Sequence, residues 1–165
     1  MEKPKILYLH GLDGSLSSEK RVVLEKYFDV TAPQIEYREN YNVFDDLNGS
    51  LRAKGEYKAI IGNSMGGCFA YYLSLYNSLP ALLFNPALIF RSIDVNLPTI
   101  IDNNNPITFI IGGQDVVVSA KENTDWIVSK NNNANFMLKW YNQMEHRVDI
   151  ETFETEVDLF SESIL

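Results

Sequence analysis

Short runs of apolar residues alternate with longer segments of helical period along the whole chain of 165 residues. The runs near 5–9, 29–32, 58–62, 81–84, 107–111 and 135–140 predict strands, and the segments near 18–28, 43–53, 65–77, 119–130 and 148–162 predict helices. Strands that alternate with helices form parallel sheets covered on both faces, so the pattern predicts a three-layer α/β fold with a mostly parallel central sheet of about six strands. Because domains most often hold roughly 100 to 150 residues, we expect residues 1–165 to form a single domain.

One of these strands runs directly into a tight turn and then into a helix. Its sequence, Ala59-Ile-Ile-Gly62, continues as Asn63-Ser64-Met-Gly66. A Gly-x-Ser-x-Gly turn between a strand and a helix raises the serine hydroxyl above the edge of a parallel sheet. Glycine suits both flanks, because side chains there would collide with the crowded strand and helix. The pattern predicts that Ser64 is a nucleophile that attacks a carbonyl carbon; the alternative is a tight turn without chemistry.

The chain also contains the partners that a nucleophilic serine needs. A serine hydroxyl requires a base within hydrogen-bond reach, and a histidine base requires a carboxylate on its other ring nitrogen. The two histidines are His10 and His146. In α/β folds with this turn the chain order is serine, acid, histidine, which Ser64, Asp115 and His146 follow, each just after a strand. We therefore expect these three side chains to meet where the strands end. Poorer candidates for the acid are Asp94, Asp102 and Asp149.

The loop after the first strand, Leu9-His-Gly-Leu-Asp-Gly-Ser15, has a different predicted role. We expect His10 and Gly11 to brace this loop and not to take part in proton transfer. An attacked carbonyl oxygen becomes an oxyanion and needs hydrogen-bond donors. The residue after the serine and a residue of this loop are expected to supply them, through the backbone N–H groups of Met65 and Leu12.

Composition narrows the possible partners. The formal net charge of −8 disfavours a nucleic acid or an anionic membrane as partner. The single cysteine, Cys68, allows no internal disulfide, and with two histidines the chain is not expected to bind a metal. The sequence has neither a signal-peptide pattern nor an apolar run of about 18 residues, so a cytoplasmic protein is expected. The predicted chemistry needs no cofactor, and no feature of the sequence indicates an oligomeric state.

Five segments of the chain, in this order, resemble the α/β-hydrolase superfamily. They are Leu7-Tyr-Leu-His-Gly-Leu12, Gly62-Asn-Ser-Met-Gly-Gly67, Phe84-Asn-Pro-Ala87, Gly113-Gln-Asp-Val116 and Glu145-His146. The Asn-Pro-Ala segment makes the chain similar, more narrowly, to the small bacterial YqiA-type esterases. That resemblance implies Ser64 as nucleophile, Asp115 as acid and His146 as base, acting on short acyl esters or thioesters. One departure is Glu145 before the histidine, where the family usually has Gly or Asn.

The resemblance also bears on what covers the site. Other α/β hydrolases often carry an inserted cap between the fourth and fifth strands, and here that stretch, about 88–105, is short. We expect no large cap domain and a shallow, open acyl pocket. Thioesterase, amidase and acyltransferase reactions use the same residues, and the sequence does not separate them from ester hydrolysis. The alternative from another class is a non-catalytic binding module on a hydrolase scaffold. A nucleophilic aspartate is excluded because the residue at the turn is serine.

Overall fold

The structure is a computed structural model that describes residues 2–102, 104–131 and 135–164. Within these residues, six strands are present: β1 Lys5–Leu9, β2 Asp29–Thr31, β3 Tyr57–Asn63, β4 Ala81–Phe84, β5 Ile107–Gly112 and β6 Phe136–Tyr141. The same ranges contain five helices: α1 Ser18–Glu25, α2 Val43–Lys54, α3 Met65–Asn77, α4 Ala120–Lys130 and α5 Ile150–Ile164. Each predicted element is present, and the differences lie at element ends.

The strands form one parallel sheet in the order β2-β1-β3-β4-β5-β6. The register places Leu9 beside Gly62 and Asn63 beside Phe84, so the carboxyl ends of the central strands lie next to one another. Since side chains alternate across a strand, neighbouring residues of β1 and β3 enter two different cores. Because the carboxyl ends of these parallel strands lie side by side, the loops that follow them meet at one edge of the sheet.

The two cores lie on opposite faces of the sheet, which confirms the predicted three-layer α/β arrangement. On one face, α1 and α5 supply buried apolar residues: Val23, Leu24, Phe153, Val157 and Phe160. On the other face, α2, α3 and α4 supply theirs, among them Phe44, Leu51, Phe69, Leu73 and Ile127. The spacing of three and four residues along α5 matches the apolar stripe that a helix needs to bury one side.

The first helix is shorter than the periodicity predicts. The prediction extends to residue 28, but α1 ends at Glu25. The backbone N–H groups of Lys26 and Tyr27 donate three residues back, to Val23 and Leu24, which tightens the last turn. Phe28 remains buried after the helix has ended, so its apolar character extends the sequence pattern beyond the helix itself.

The stretch between β4 and β5 determines how open the sheet edge is. Its described residues, 85–102 and 104–106, include no helix or strand and therefore no large cap. Phe90, Arg91 and Ser92 from this stretch lie beside the cavity described below. In the described part of the chain, no helix is long and apolar enough to cross a membrane.

Candidate active site

Ser64 lies at a sharp turn between β3 and α3 with a backbone conformation that is rare for a residue with a side chain. Its φ is 53° and its ψ is −115°. Such a conformation costs free energy and persists only when the surrounding structure enforces it. The Ser64 N–H donates to the Phe84 carbonyl at 2.9 Å, and the Ser64 carbonyl accepts from Cys68 and Ala87, both at 3.0 Å. These three bonds tie the strained turn to α3 and to the end of β4.

The two glycines of the turn are required by close backbone contacts. A Cβ atom on Gly66 would lie 2.1 Å from the Leu9 carbonyl oxygen and 2.4 Å from that of His10. A Cβ atom on Gly62 would lie 2.5 Å from the Gly66 oxygen and 2.7 Å from the Ala70 Cβ. Cβ atoms do not approach backbone this closely, so the turn could not keep its shape with a side chain at either position.

The side chains of Ser64, His146 and Asp115 form a continuous chain of hydrogen bonds. His146 Nε2 lies 2.8 Å from Ser64 Oγ, and His146 Nδ1 lies 2.7 Å from Asp115 Oδ2. A carboxylate only accepts, so Nδ1 carries the hydrogen, and Nε2 of the neutral ring is left to accept from the serine hydroxyl. The structure thus brings together the three residues that the sequence singled out.

The carboxylate of Asp115 is buried and accepts hydrogen bonds on both oxygens. Its side chain is 2% exposed. While Oδ2 accepts from the histidine, Oδ1 accepts from the backbone N–H groups of Val117 and Val118, both at 2.9 Å. These two donors fix the rotation of the carboxylate and so fix which oxygen faces His146. A buried carboxylate whose two oxygens are both held by hydrogen bonds orients the imidazole that it contacts.

The residues predicted as oxyanion donors, Leu12 and Met65, both line the cavity beside Ser64. Met65 is the first residue of α3, where a helix leaves backbone N–H groups without partners inside the helix. Among residues 2–102, 104–131 and 135–164, neither the Leu12 N–H nor the Met65 N–H has a hydrogen-bond acceptor. The two predicted donors are therefore residues of the cavity wall whose N–H groups have no acceptor within those ranges.

His10 lies within the loop and bonds to its neighbours, not to Ser64. Its Nε2 accepts from the Ile35 N–H at 2.9 Å, and its Nδ1 lies 2.7 Å from the Gly11 carbonyl oxygen. Because the first partner only donates and the second only accepts, Nδ1 carries the hydrogen and the ring is neutral. The Tyr37 hydroxyl donates to the His10 carbonyl at 2.8 Å. These bonds connect the loop after β1 to residues 35–37.

The other candidate acids lie elsewhere. Asp149 caps α5, where Oδ1 accepts from the Thr152 N–H and Oδ2 from the Thr152 hydroxyl, both at 2.8 Å. Asp94 and Asp102 are exposed. Within the described ranges, His146 makes its carboxylate contact with Asp115. The same ranges hold no group of three or more His, Cys, Asp or Glu side chains arranged as a metal site.

Asn85 is a residue of this site to which the sequence analysis gave no role. It follows β4, has a φ of 41° and is 1% exposed. Its Nδ2 donates to the carbonyls of Glu145 and His146, both at 3.0 Å, and its Oδ1 accepts from the Gly112 N–H at 2.7 Å. Asn85 therefore joins the ends of β4 and β5 to the histidine loop. An asparagine before proline at a strand end is the one local signal, since asparagine tolerates a positive φ.

A cavity of about 630 Å³ opens above Ser64. Ser64, His146 and the two candidate oxyanion donors lie in its wall. Its lining comes from the loops after β1, β4 and β5, from the first turn of α1 and from residues 146–150. The cavity therefore lies at the carboxyl edge of the sheet, where ligands of open α/β sheets bind.

A strained Gly-x-Ser-x-Gly turn in a parallel sheet with helices on both faces defines the α/β-hydrolase fold. The sequence of residues 5–109 matches the Uncharacterised protein family UPF0227. The chain belongs to that family.

Solved structures of similar fold are known from several bacteria. A protein of the alpha/beta superfamily from Xanthomonas campestris is 16% identical, with a TM-score of 0.71 and coverage of 99% of both chains. The Bacillus cereus carboxylesterase is 19% identical, with a TM-score of 0.70 and coverage of 99% of this chain and 89% of that one. Est1E from Butyrivibrio proteoclasticus, solved with ferulic acid, is 12% identical, with a TM-score of 0.73 and coverage of 99% and 90%. At these identities the likeness establishes the fold.

Proposed function

We propose that the protein is a carboxylic-ester hydrolase in which Ser64 is the nucleophile, His146 the general base and Asp115 the acid that orients it. The observation that carries the proposal is the continuous hydrogen-bond chain, 2.8 Å from Ser64 Oγ to His146 Nε2 and 2.7 Å from His146 Nδ1 to Asp115 Oδ2. The same geometry performs acyl transfer on several unrelated folds. The carboxylesterase and the ferulic-acid-bound protein of similar fold are consistent with it.

In the first half of the reaction, Ser64 Oγ attacks the carbonyl carbon of the ester as its proton moves to His146 Nε2. The imidazolium that forms is stabilised by the Asp115 carboxylate, which stays ionised. His146 then gives the proton to the oxygen of the leaving alcohol, and the carbon–oxygen bond breaks. The products of this half are the free alcohol and an acyl ester of Ser64.

The negative charge that develops on the carbonyl oxygen is stabilised by the N–H groups of Leu12 and Met65. Both residues line the cavity, and neither N–H has an acceptor in the described part of the chain, so no bond has to break before they act. Donors oriented toward the oxyanion stabilise the transition state without reorganisation, and each is worth about 3 kcal/mol.

In the second half, a water molecule takes the place of the alcohol. His146 Nε2 removes a proton from the water as its oxygen attacks the acyl carbon, and then returns the proton to Ser64 Oγ. The carboxylic acid leaves and the enzyme is restored. The sequence of steps needs neither a metal nor a cofactor.

We propose short acyl esters or thioesters as the substrate class. The family resemblance suggests this class, and the absence of a helix or strand in residues 85–102 and 104–106 leaves the cavity uncovered by a cap. Exposed apolar side chains beside the site, Phe90 and Val117, offer a surface for a small acyl group. Thioesters fit the same scheme, with a thiolate in place of the alcohol as leaving group.

The proposal is tested with para-nitrophenyl esters of increasing acyl length and with acyl-coenzyme A thioesters. The wild-type protein is expected to hydrolyse the short members, and Ser64→Ala to lose about 10³-fold or more of kcat/KM. Ser129→Ala is the matched control, because it removes a hydroxyl that bonds within α4 and not in the cavity. A folded wild-type protein that hydrolyses none of these substrates would overturn the proposal and leave the binding-module alternative.

A further inference from the structure

The cavity above Ser64 has two ends, which lie over opposite faces of the sheet. At the first end, three lining residues pack in the core under α3 and α4, namely Leu12, Ala87 and Val118. Phe90, Arg91 and Val117 follow or precede them in the chain and also line the cavity. At the second end, Tyr8 and Val148 pack in the core under α1 and α5, and Lys20 and Arg147 line the cavity with them. Both ends therefore combine apolar surface with cations, one cation at the first end and two at the second.

The two cations at the second end lie in the cavity wall and form no ion pair in the described part of the chain. Burial and, after it, the positive charge of Arg147 lower the pKa of Lys20. The Lys20 ammonium lies 5.0 Å from the centre of the Phe153 ring. Within the described residues, neither side chain has a carboxylate within 4 Å, whereas Arg21 and Lys26 on the same side of the sheet are ion-paired with Glu25 and Glu154. Lys20 and Arg147 thus line the cavity without a carboxylate of the described residues in direct contact with either of them.

Two acidic side chains, Glu19 and Asp149, also line the cavity, and neither carboxylate forms an ion pair with Lys20 or Arg147. Both carboxylate oxygens of Asp149 accept from Thr152, and these bonds hold the pKa of Asp149 below its usual value. Glu19 is exposed and forms no ion pair in the described part of the chain. The charge of Asp149 raises the pKa of Lys20, but burial and the charge of Arg147 outweigh it and leave the pKa of Lys20 lowered. A bound anion would offset both of these unfavourable effects.

The third cation in the cavity wall, Arg91, lies at the first end and is bonded to the loop after β4 through one guanidinium nitrogen. Arg91 Nη1 donates to the carbonyls of Ala87 and Leu88, at 3.0 and 2.8 Å, and lies 3.8 Å from the Cys68 sulfur. Its position holds the loop after β4. Lys20 and Arg147 are therefore the two cations of the second end, apart from Arg91.

We propose that the substrate carries an anionic oxygen group, such as a carboxylate or a phosphate, which binds between Lys20 and Arg147 while its apolar part lies against Phe90 and Val117. This inference rests on the proposed ester hydrolysis at Ser64. The anion belongs either to the acid part or to the alcohol part of the ester, and the two sources share the same binding chemistry. Charge-assisted hydrogen bonds of this kind change affinity by roughly tenfold or more.

Two matched pairs of esters separate these sources. The pair para-butyryloxybenzoate and its methyl ester differs by one negative charge on the alcohol part. The pair phenyl hydrogen adipate and its methyl ester differs by one negative charge on the acid part. For each pair, the ratio of kcat/KM for the charged ester to that for the neutral ester is measured at low and at high ionic strength.

For at least one pair, the ratio is expected to fall about tenfold in Lys20→Gln and in Arg147→Gln, and to fall with added salt in the wild type. Arg21→Gln is the matched control: it removes the same charge one residue along α1, outside the cavity, and should leave both ratios unchanged. A ratio that is the same in all four proteins for both pairs would overturn the inference.

The same measurements test the proposed ester hydrolysis separately from the anion site. Hydrolysis of the neutral esters by the wild type, and its loss in Ser64→Ala, tests the ester hydrolase alone. If no ester is hydrolysed, the proposed function fails, and para-hydroxybenzoate is titrated into wild-type and Lys20→Gln protein and followed by NMR. Saturable binding that weakens in Lys20→Gln would support the anion site, and equal or absent binding would overturn it.

Discussion

The side-chain amide of Asn85 donates a hydrogen bond of 3.0 Å to the backbone carbonyl of His146. The same nitrogen donates to the Glu145 carbonyl, and the amide oxygen accepts from the Gly112 N–H. One buried side chain therefore holds the histidine loop against the ends of β4 and β5. The Asn85 side chain bonds to these backbone groups and not to the serine hydroxyl, so we expect it to act on Ser64 through the position of His146.

Removing this amide should therefore reduce activity by more than the accompanying loss of stability would explain. Asn85→Ala leaves two carbonyls and one N–H without their partner, and we expect kcat to fall about 100-fold through displacement of His146. The matched control is Asn131→Ala, which also deletes a buried amide bonded to backbone but lies at the end of α4. Both variants are expected to lower the free energy of unfolding, measured in urea. An equal loss of kcat in the two variants would contradict the positioning role.

Replacing Asp115 by asparagine tests the orientation of the imidazole. The N–H groups of Val117 and Val118 would retain the amide oxygen, so the NH₂ group would face His146 Nδ1. The imidazole would then carry its hydrogen on Nε2 and could no longer accept from Ser64. We expect a fall in kcat of about 10⁴-fold with the fold intact, measured with a neutral ester and checked by circular dichroism. A loss of less than about tenfold would mean that Asp115 does not fix the tautomer.

Gly66→Ala tests the close packing of the turn. The new Cβ would lie 2.1 Å from the Leu9 carbonyl oxygen, so the end of β1 or α3 must move. We expect the free energy of unfolding to fall by at least about 3 kcal/mol. Gly49→Ala, in the middle of α2, meets nothing within 4 Å and should raise stability by about 0.5–1 kcal/mol. Similar stabilities of the two variants in urea unfolding would contradict the packing argument.

The cap on α5 should make stability depend on pH in acid. Hydrogen bonds from Thr152 lower the pKa of Asp149 in the folded protein, so its contribution is present above the unfolded pKa of about 3.9 and is lost as pH falls through the folded pKa. Asp149→Ala is expected to lose about 1 kcal/mol of unfolding free energy at neutral pH. The difference from wild type should narrow below about pH 4, measured by urea unfolding across pH. A difference in unfolding free energy that stays constant down to pH 2 would contradict the lowered pKa of Asp149 in the folded protein.

The sequence was sufficient to predict much of this fold because its signals are local. Strands buried on both faces appear as continuous apolar runs, and the turn at Ser64 needs glycine on both sides. The positions of Asp115 and His146 follow from a general property of parallel sheets, since residues just after adjacent strands share one edge. The periodicity predicts that α1 extends to residue 28, whereas it ends at Glu25, because Phe28 continues the apolar period after the helix has ended.

What could not be predicted depends on contacts between distant segments. Nothing near Asn85 in the sequence indicates that its amide would reach the histidine loop across β5. The position of Lys20 in the cavity wall likewise depends on how α1 packs against α5. In the sequence, a lysine in the first turn of a surface helix gives no sign of a ligand site. Local patterns identify the nucleophile and its partners, whereas the residues that hold or surround them become apparent in three dimensions.

The central claim is that His146 activates Ser64 for attack, and covalent labelling tests it most directly. A fluorophosphonate probe reacts with an activated serine, and the labelled residue is identified by mass spectrometry of peptides. We expect one adduct, on the peptide that contains Ser64, no labelling of that peptide in Ser64→Ala, and much slower labelling in His146→Gln. A folded wild-type protein that stays unlabelled, or that labels equally fast in His146→Gln, would contradict the account.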